Sequence, residues 1–140
     1  MTNIKTTRAA LALTMGILIS SLAGAGVDHT GKLAVHNKAR IYHPTTYSET
    51  TAYKKAAIVT SRKVFDTTDE YKQIAKRKLS PNTAEWCLLA KSASDKFRTA
   101  LTKATTAGGY DLVAESGAIT VDGETLPDIT SDVIAQLASE

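Results

Sequence analysis

Ser80-Pro81-Asn82-Thr83-Ala84-Glu85 interrupts a polar, basic run that otherwise extends from about Tyr47 to Gly108, and its reading decides the fold. Pro81 suits the first turn of a helix, because its ring fixes φ and leaves no N–H to bond backwards. Asn82, with Glu85 three residues on, has the form of a capping box. Beyond this break apolar residues recur at helical spacing, namely Trp86, Ala90, Ala93, Phe97, Ala100 and Ala104, widened by Leu89 and Leu101. Gly108-Gly109 stops the pattern. Before the break, Tyr53, Ala57, Thr60, Val64, Thr67, Tyr71, Ile74 and Lys78 also step by four and three. That is a heptad seam with polar places, which makes a loose contact. The spacing therefore predicts two helices, one running out from Thr45–Ser48 and one returning to Gly108, around a tip at 80–82. Thr46-Tyr47-Ser48-Glu49 offers a second capping box. Asp66-Thr67-Thr68-Asp69 offers a break in the outgoing helix, since Asp and Thr side chains compete for its backbone.

Outward of this arm the pieces are short. Leu33-Ala34-Val35 reads as a buried strand, Ala39, Ile41 and Tyr42 follow, and Pro44 closes the segment by pushing His43 out of helical geometry. After Gly109 the period changes. Tyr110 to Glu115 and Ala118 to Val121 read as strands joined at Ser116-Gly117, and Asp122-Gly123 is a turn signal. Asp128 or Thr130 can cap a last helix carrying Val133, Ile134 and Leu137 on one face. The expected fold class is α+β: a long, coiled-coil-like helical hairpin over 45–108, inserted in a small β body built from 32–44 and 109–140.

The first 25 residues read as a secretory signal peptide. Lys5 and Arg8 precede an apolar stretch from Ala9 to Leu22, and Ala23-Gly24-Ala25 supplies small residues for cleavage. The stretch falls short of the ~18–20 apolar residues that span a bilayer. A periplasmic location follows as an expectation, with one domain over 26–140.

Charge is segregated. From His29 to Thr105 there are fifteen basic against six acidic residues, a net of +9, whereas Thr106 onward holds seven acids and no base. A cationic arm set against an anionic tail speaks of partners more than of fold. Cys87 is the single cysteine, so no intramolecular disulfide forms, and aromatic content is only 6%. A small core without bridges is marginal, and oligomerisation is the expected remedy.

In order and spacing, these pieces resemble the Skp/OmpH family of periplasmic chaperones. Lys32-Leu33-Ala34-Val35-His36-Asn37 looks like that family's opening strand, and Ala52-Tyr53-Lys54-Lys55-Ala56 like the start of its long helix. Tyr110-Asp111-Leu112-Val113, Ala118 to Val121, and Asp128-Ile129-Thr130-Ser131-Asp132-Val133-Ile134 resemble its closing pattern. The resemblance implies a homotrimer whose strands form a β body and whose helical arms enclose a cavity. There, unfolded outer-membrane or envelope proteins would be held without ATP. It also implies that Leu33, Val35, Leu112, Val113, Ile119, Val121, Ile129, Val133 and Ile134 build the trimer body. At 1.5 Å per residue, legs of ~33 and ~26 residues reach about 50 and 39 Å, shorter than the family's arms.

Lys54, Lys55, Arg62, Lys63, Lys72, Lys76, Arg77 and Lys78 are the residues expected to attract acidic client segments or anionic lipid headgroups. Trp86, one turn past Pro81, serves either hairpin packing or partner contact. Cys87 packs in the seam or, in an oxidising compartment, bridges two chains. Nucleic acid is set aside, because the chain is exported and its bases lack interleaved aromatics for stacking. His29, His36 and His43 recur every seven residues, but strand and linker geometry would not bring them to one face. No catalytic constellation, cofactor motif or metal set stands out, so no enzyme chemistry is expected. The rival to a holdase is a structural or adaptor coiled-coil protein of an envelope complex.

Overall fold

Ala56-Ala57-Ile58-Val59, expected inside the outgoing helix, is a strand. The run is short and apolar, with Lys54-Lys55 before it and Thr60-Ser61 after it. Burial on both faces suits such a run to a parallel sheet. The computed structural model describes residues 28–139, and the expected signal segment at 1–25 lies outside them. Within those residues the protein is mixed α+β, with four α-helices and two small sheets.

In chain order, β1 (Leu33–Val35) leads through a 3-10 turn at Lys38–Arg40 into β2 (Ile41–His43), and β3 (Ala56–Val59) follows. Helices α1 (Ser61–Thr67), α2 (Asp69–Arg77) and α3 (Ala84–Gly108) then cross over to β4 (Leu112–Glu115). β5 (Ile119–Val121) and α4 (Thr130–Ala138) complete the fold. β4 is the centre of one sheet, antiparallel to β2 and parallel to β3, with Ala57 opposite Val113. β5 does not pair with β4 despite the short turn between them. It pairs antiparallel with β1, Leu33 opposite Val121, to form the second sheet.

Strand alternation divides the interior. Ala57, Val59 and Val113 face the helices, where they meet Val64, Phe97, Leu101, Ile129 and Val133. Ala56, Leu112 and Ala114 face the other way, toward Ile119, Tyr53 and the β1–β5 pair. The three-stranded sheet is thus covered on both sides, by helices on one and by the two-stranded sheet on the other.

The outgoing leg departs furthest from expectation. The helix does not start at 45–48: Glu49 pairs with Lys38 and the Ser48 N–H donates to the Tyr53 hydroxyl at 3.0 Å. It starts at Ser61, whose N–H donates to both Glu115 carboxylate oxygens at 3.2 Å. The predicted break is present. The Thr68 hydroxyl donates to the Phe65 carbonyl at 2.7 Å and accepts from the Tyr71 N–H at 3.3 Å, ending α1 and capping α2.

The return leg follows the sequence closely. Ala93, Phe97, Ala100, Leu101 and Ala104 are buried, and Gly109 ends α3 at φ +67°. Its start differs by one residue. Thr83 rather than Asn82 is the cap, accepting from the Trp86 N–H at 3.3 Å, and Glu85 turns instead to Arg77. α3's 25 residues reach about 37 Å, against about 14 Å for the nine of α2.

Candidate functional site

α2 and α3 run antiparallel, tied at two levels. Near the sheet, Glu70 meets Lys96 at 2.5 Å and accepts from the Ser92 hydroxyl at 2.9 Å. Near the tip, Arg77 forms a two-pronged pair with Glu85. The Glu70 side chain is only 9% exposed. Burial pushes its pKa up, but hydrogen bonds from Lys96, the backbone and Ser92 together outweigh that and hold it below the ordinary carboxylate value. Its Oε2 is buried without a hydrogen-bond partner.

A lowered folded pKa means stability that is present above the unfolded value and lost as pH falls through the folded one. Glu70→Gln is therefore expected to flatten the acid limb of the stability–pH curve below about pH 4.5, measured by urea unfolding at a series of pH values. An unchanged acid limb would show that Glu70 is not the group responsible.

Beyond this tie the helices lose their cover. From Ala84 to Ser92 no residue of α3 is fully buried. Trp86 and Leu89 are half-buried, and Leu88 is 70% exposed, the one large apolar side chain so placed among the described residues. The sequence stripe passed over Leu88 because it sits two residues from Trp86, off the heptad seam. An apolar residue out of phase is the signal that could have found it. Cys87 is exposed too, with its thiol 3.8 Å from the Pro81 carbonyl, and does not pack in the seam.

The expected cations do not form one surface. Lys54 and Lys55 lie before β3, in the sheet region, where their backbone N–H groups donate to Asp111 at 2.7 and 2.8 Å. Arg62 and Lys63 are on α1, with Arg62 3.9 Å from Asp66. On α2, Lys72 is 3.8 Å from Asp69 and Arg77 is held by Glu85. Lys76 and Lys78 make no ion pair among the described residues. They stand at the end of α2, with Lys78 in the left-handed conformation that ends the helix. The candidate site is the tip, which carries Lys76 and Lys78 at the end of α2 and Trp86, Leu88 and Leu89 in the first turns of α3.

The residues expected to build a trimer are mostly used within one chain. Leu112, Val113, Ile119, Val121, Ile129 and Val133 are buried in the single subunit, while Leu33, Val35 and Ile134 remain half-buried. His36 bonds Thr120 at 2.8 Å, and no group of three metal-ligating side chains converges among the described residues. No described helix is long and apolar enough to cross a membrane. Compared with family models, with characterised proteins and with solved structures, the chain matches none.

Proposed function

We propose that the protein is a periplasmic, ATP-independent holdase of the Skp/OmpH kind, a homotrimer with a shortened arm inserted in its β body. Unfolded outer-membrane or envelope proteins are its clients. The observation that carries this reading is the tip, where Leu88 is 70% exposed and Trp86 half-buried at the start of α3, and where Lys76 and Lys78 at the end of α2 make no ion pair among the described residues. A leucine left in solvent where the helix pair has lost its cover is apolar surface that a partner can bury. A client with exposed apolar segments offsets that exposure, and its acidic residues are drawn in by the free lysines. Capture is passive, and release follows when the client buries its own apolar surface. Anionic lipid headgroups fit the same charge and are the second partner class.

The reading takes as its arm the helices α1, α2 and α3, which lie in the chain between β3 and β4. The strand that opens the arm is then Ala56–Val59 rather than Leu33–Val35. The rival adaptor reading draws support from the nine-residue α2, which leaves little depth for a cavity.

Two measurements decide between them. Size-exclusion chromatography with light scattering on the purified protein is expected to give a trimer, and a monomer would sink both readings. Aggregation suppression with an unfolded β-barrel client is then expected at stoichiometric ratio, weakening in high salt. A well-formed trimer that gives no protection leaves the adaptor.

A further inference from the structure

A cleft lies away from the tip, where β2, α1 and α3 meet, and encloses about 630 Å³. That is within the ~300–1,000 Å³ typical of small-molecule sites. Its apolar walls are Ile41, Tyr42, Phe65, Phe97 and Leu101. The rings hold one another in place. Phe97 meets Tyr42 edge-on at 5.3 Å and Phe65 at 5.1 Å, and Phe65 stacks on Tyr71 at 5.1 Å. These contacts make the cleft preformed.

Its charge is one-sided. Arg98 lines it and no carboxylate does. Arg98 makes no ion pair among the described residues, and Asp95, on which its charge acts, is already held by Lys91 at 2.7 Å. Glu115, at the tip of Tyr42, is also committed, accepting from the Tyr42 hydroxyl at 2.8 Å and from the Ser61 N–H. Arg40 lies near enough for its charge to reach the Tyr42 phenol. The rim adds the Ser94 and Thr45 hydroxyls.

We infer that this cleft binds a small amphiphilic anion, an aliphatic chain ending in a carboxylate. Its chain lies along Phe65, Phe97 and Leu101, and its head is on Arg98. An apolar trough with one unpaired guanidinium suits that shape: the chain leaves water, and the planar fork takes both carboxylate oxygens. The inference is independent of the holdase reading, which rests on the tip.

Isothermal titration of the purified protein with sodium decanoate, and separately with decan-1-ol, tests it. Decanoate is expected to fill one saturable site. Arg98→Gln, an exposed position, is expected to weaken decanoate by about tenfold or more, because a charge-assisted bond is lost. The same variant should leave decanol, already weaker, unchanged. Ser94→Phe fills the cleft and should abolish binding, with circular dichroism melting as the control for folding. Unsaturable uptake, equal affinity of R98Q for decanoate, or a decanol affinity matching that of decanoate overturns the inference. So does an oligomer that takes up no decanoate, since another copy then occupies the cleft.

Discussion

Phe97→Ala is expected to lower stability by about 3–5 kcal/mol, the range for deleting a buried phenylalanine. Phe97 is 4% exposed and sits midway along α3. Its ring touches Phe65 of α1 and Tyr42 of β2, so one side chain joins the long helix to the short one and to the sheet. Its neighbours on α3 include Ala93 and Ala100, too small to close the void, and only Leu101 beside them is large. A domain of this size holds only about 5–15 kcal/mol in all, so the loss removes a large share. Urea unfolding should show a lower midpoint with little change in slope. Phe97→Leu, which keeps most of the volume, should cost less than half as much. A loss under about 1 kcal/mol would mean that the rings collapse onto the gap and that the helical layer does not depend on them.

The same residue shows what the sequence could and could not reveal. Phe97 stands in a stripe of alanines at strict helical spacing, and an amphipathic pattern sustained over twenty-five residues specifies a helix. The Thr68 break was legible for a comparable reason, because a hydroxyl that can bond its own backbone is a local signal. Ala56–Val59 was not. Ala57, Thr60 and Val64 fall at steps of three and four whether or not Ala57 is helical, and four residues are too few for period to decide. What makes them a strand is a partner more than fifty residues away, Ala57 lying opposite Val113. Pairing of that kind leaves no local trace. The split between β4 and β5 was hidden likewise, since a short turn favours a hairpin and only the approach of Leu33 to Val121 draws β5 into another sheet.

The candidate site was half legible. Charge segregation drew attention to the basic stretch, but the count could not tell which lysines would be neutralised. Arg77 meets Glu85 and Lys96 meets Glu70 only because α2 and α3 fold back on each other. Lys54 and Lys55, grouped with the arm by their place in the chain, belong to the approach to β3. The cleft on Arg98 draws its walls from three elements, and no stretch of sequence contains it.

Leu88→Gln is expected to leave folding intact and to weaken client capture by about ten- to a hundredfold. Leu88 is 70% exposed, so its removal deletes little from the folded chain. Glutamine keeps nearly the same helix propensity, and surface changes of this type fall within about 0.5 kcal/mol. Covering a leucine with a client's apolar segment contributes about 1.5–3 kcal/mol, which sets the range. In a trimer the loss recurs on each arm, and a client held by several arms at once loses more than one contact's worth. Lys76→Gln combined with Lys78→Gln should act differently. It should slow capture at low ionic strength and change little in high salt, because steering by exposed charge is screened beyond about 8–10 Å. The readouts are the melting temperature, the protein ratio that halves client aggregation, and the capture rate at two salt concentrations. A Leu88→Gln protein that melts and protects like the wild type would show that the tip does not hold the client. If instead its protection is lost while the double lysine variant loses only speed, then apolar contact supplies the affinity and the free lysines supply the approach.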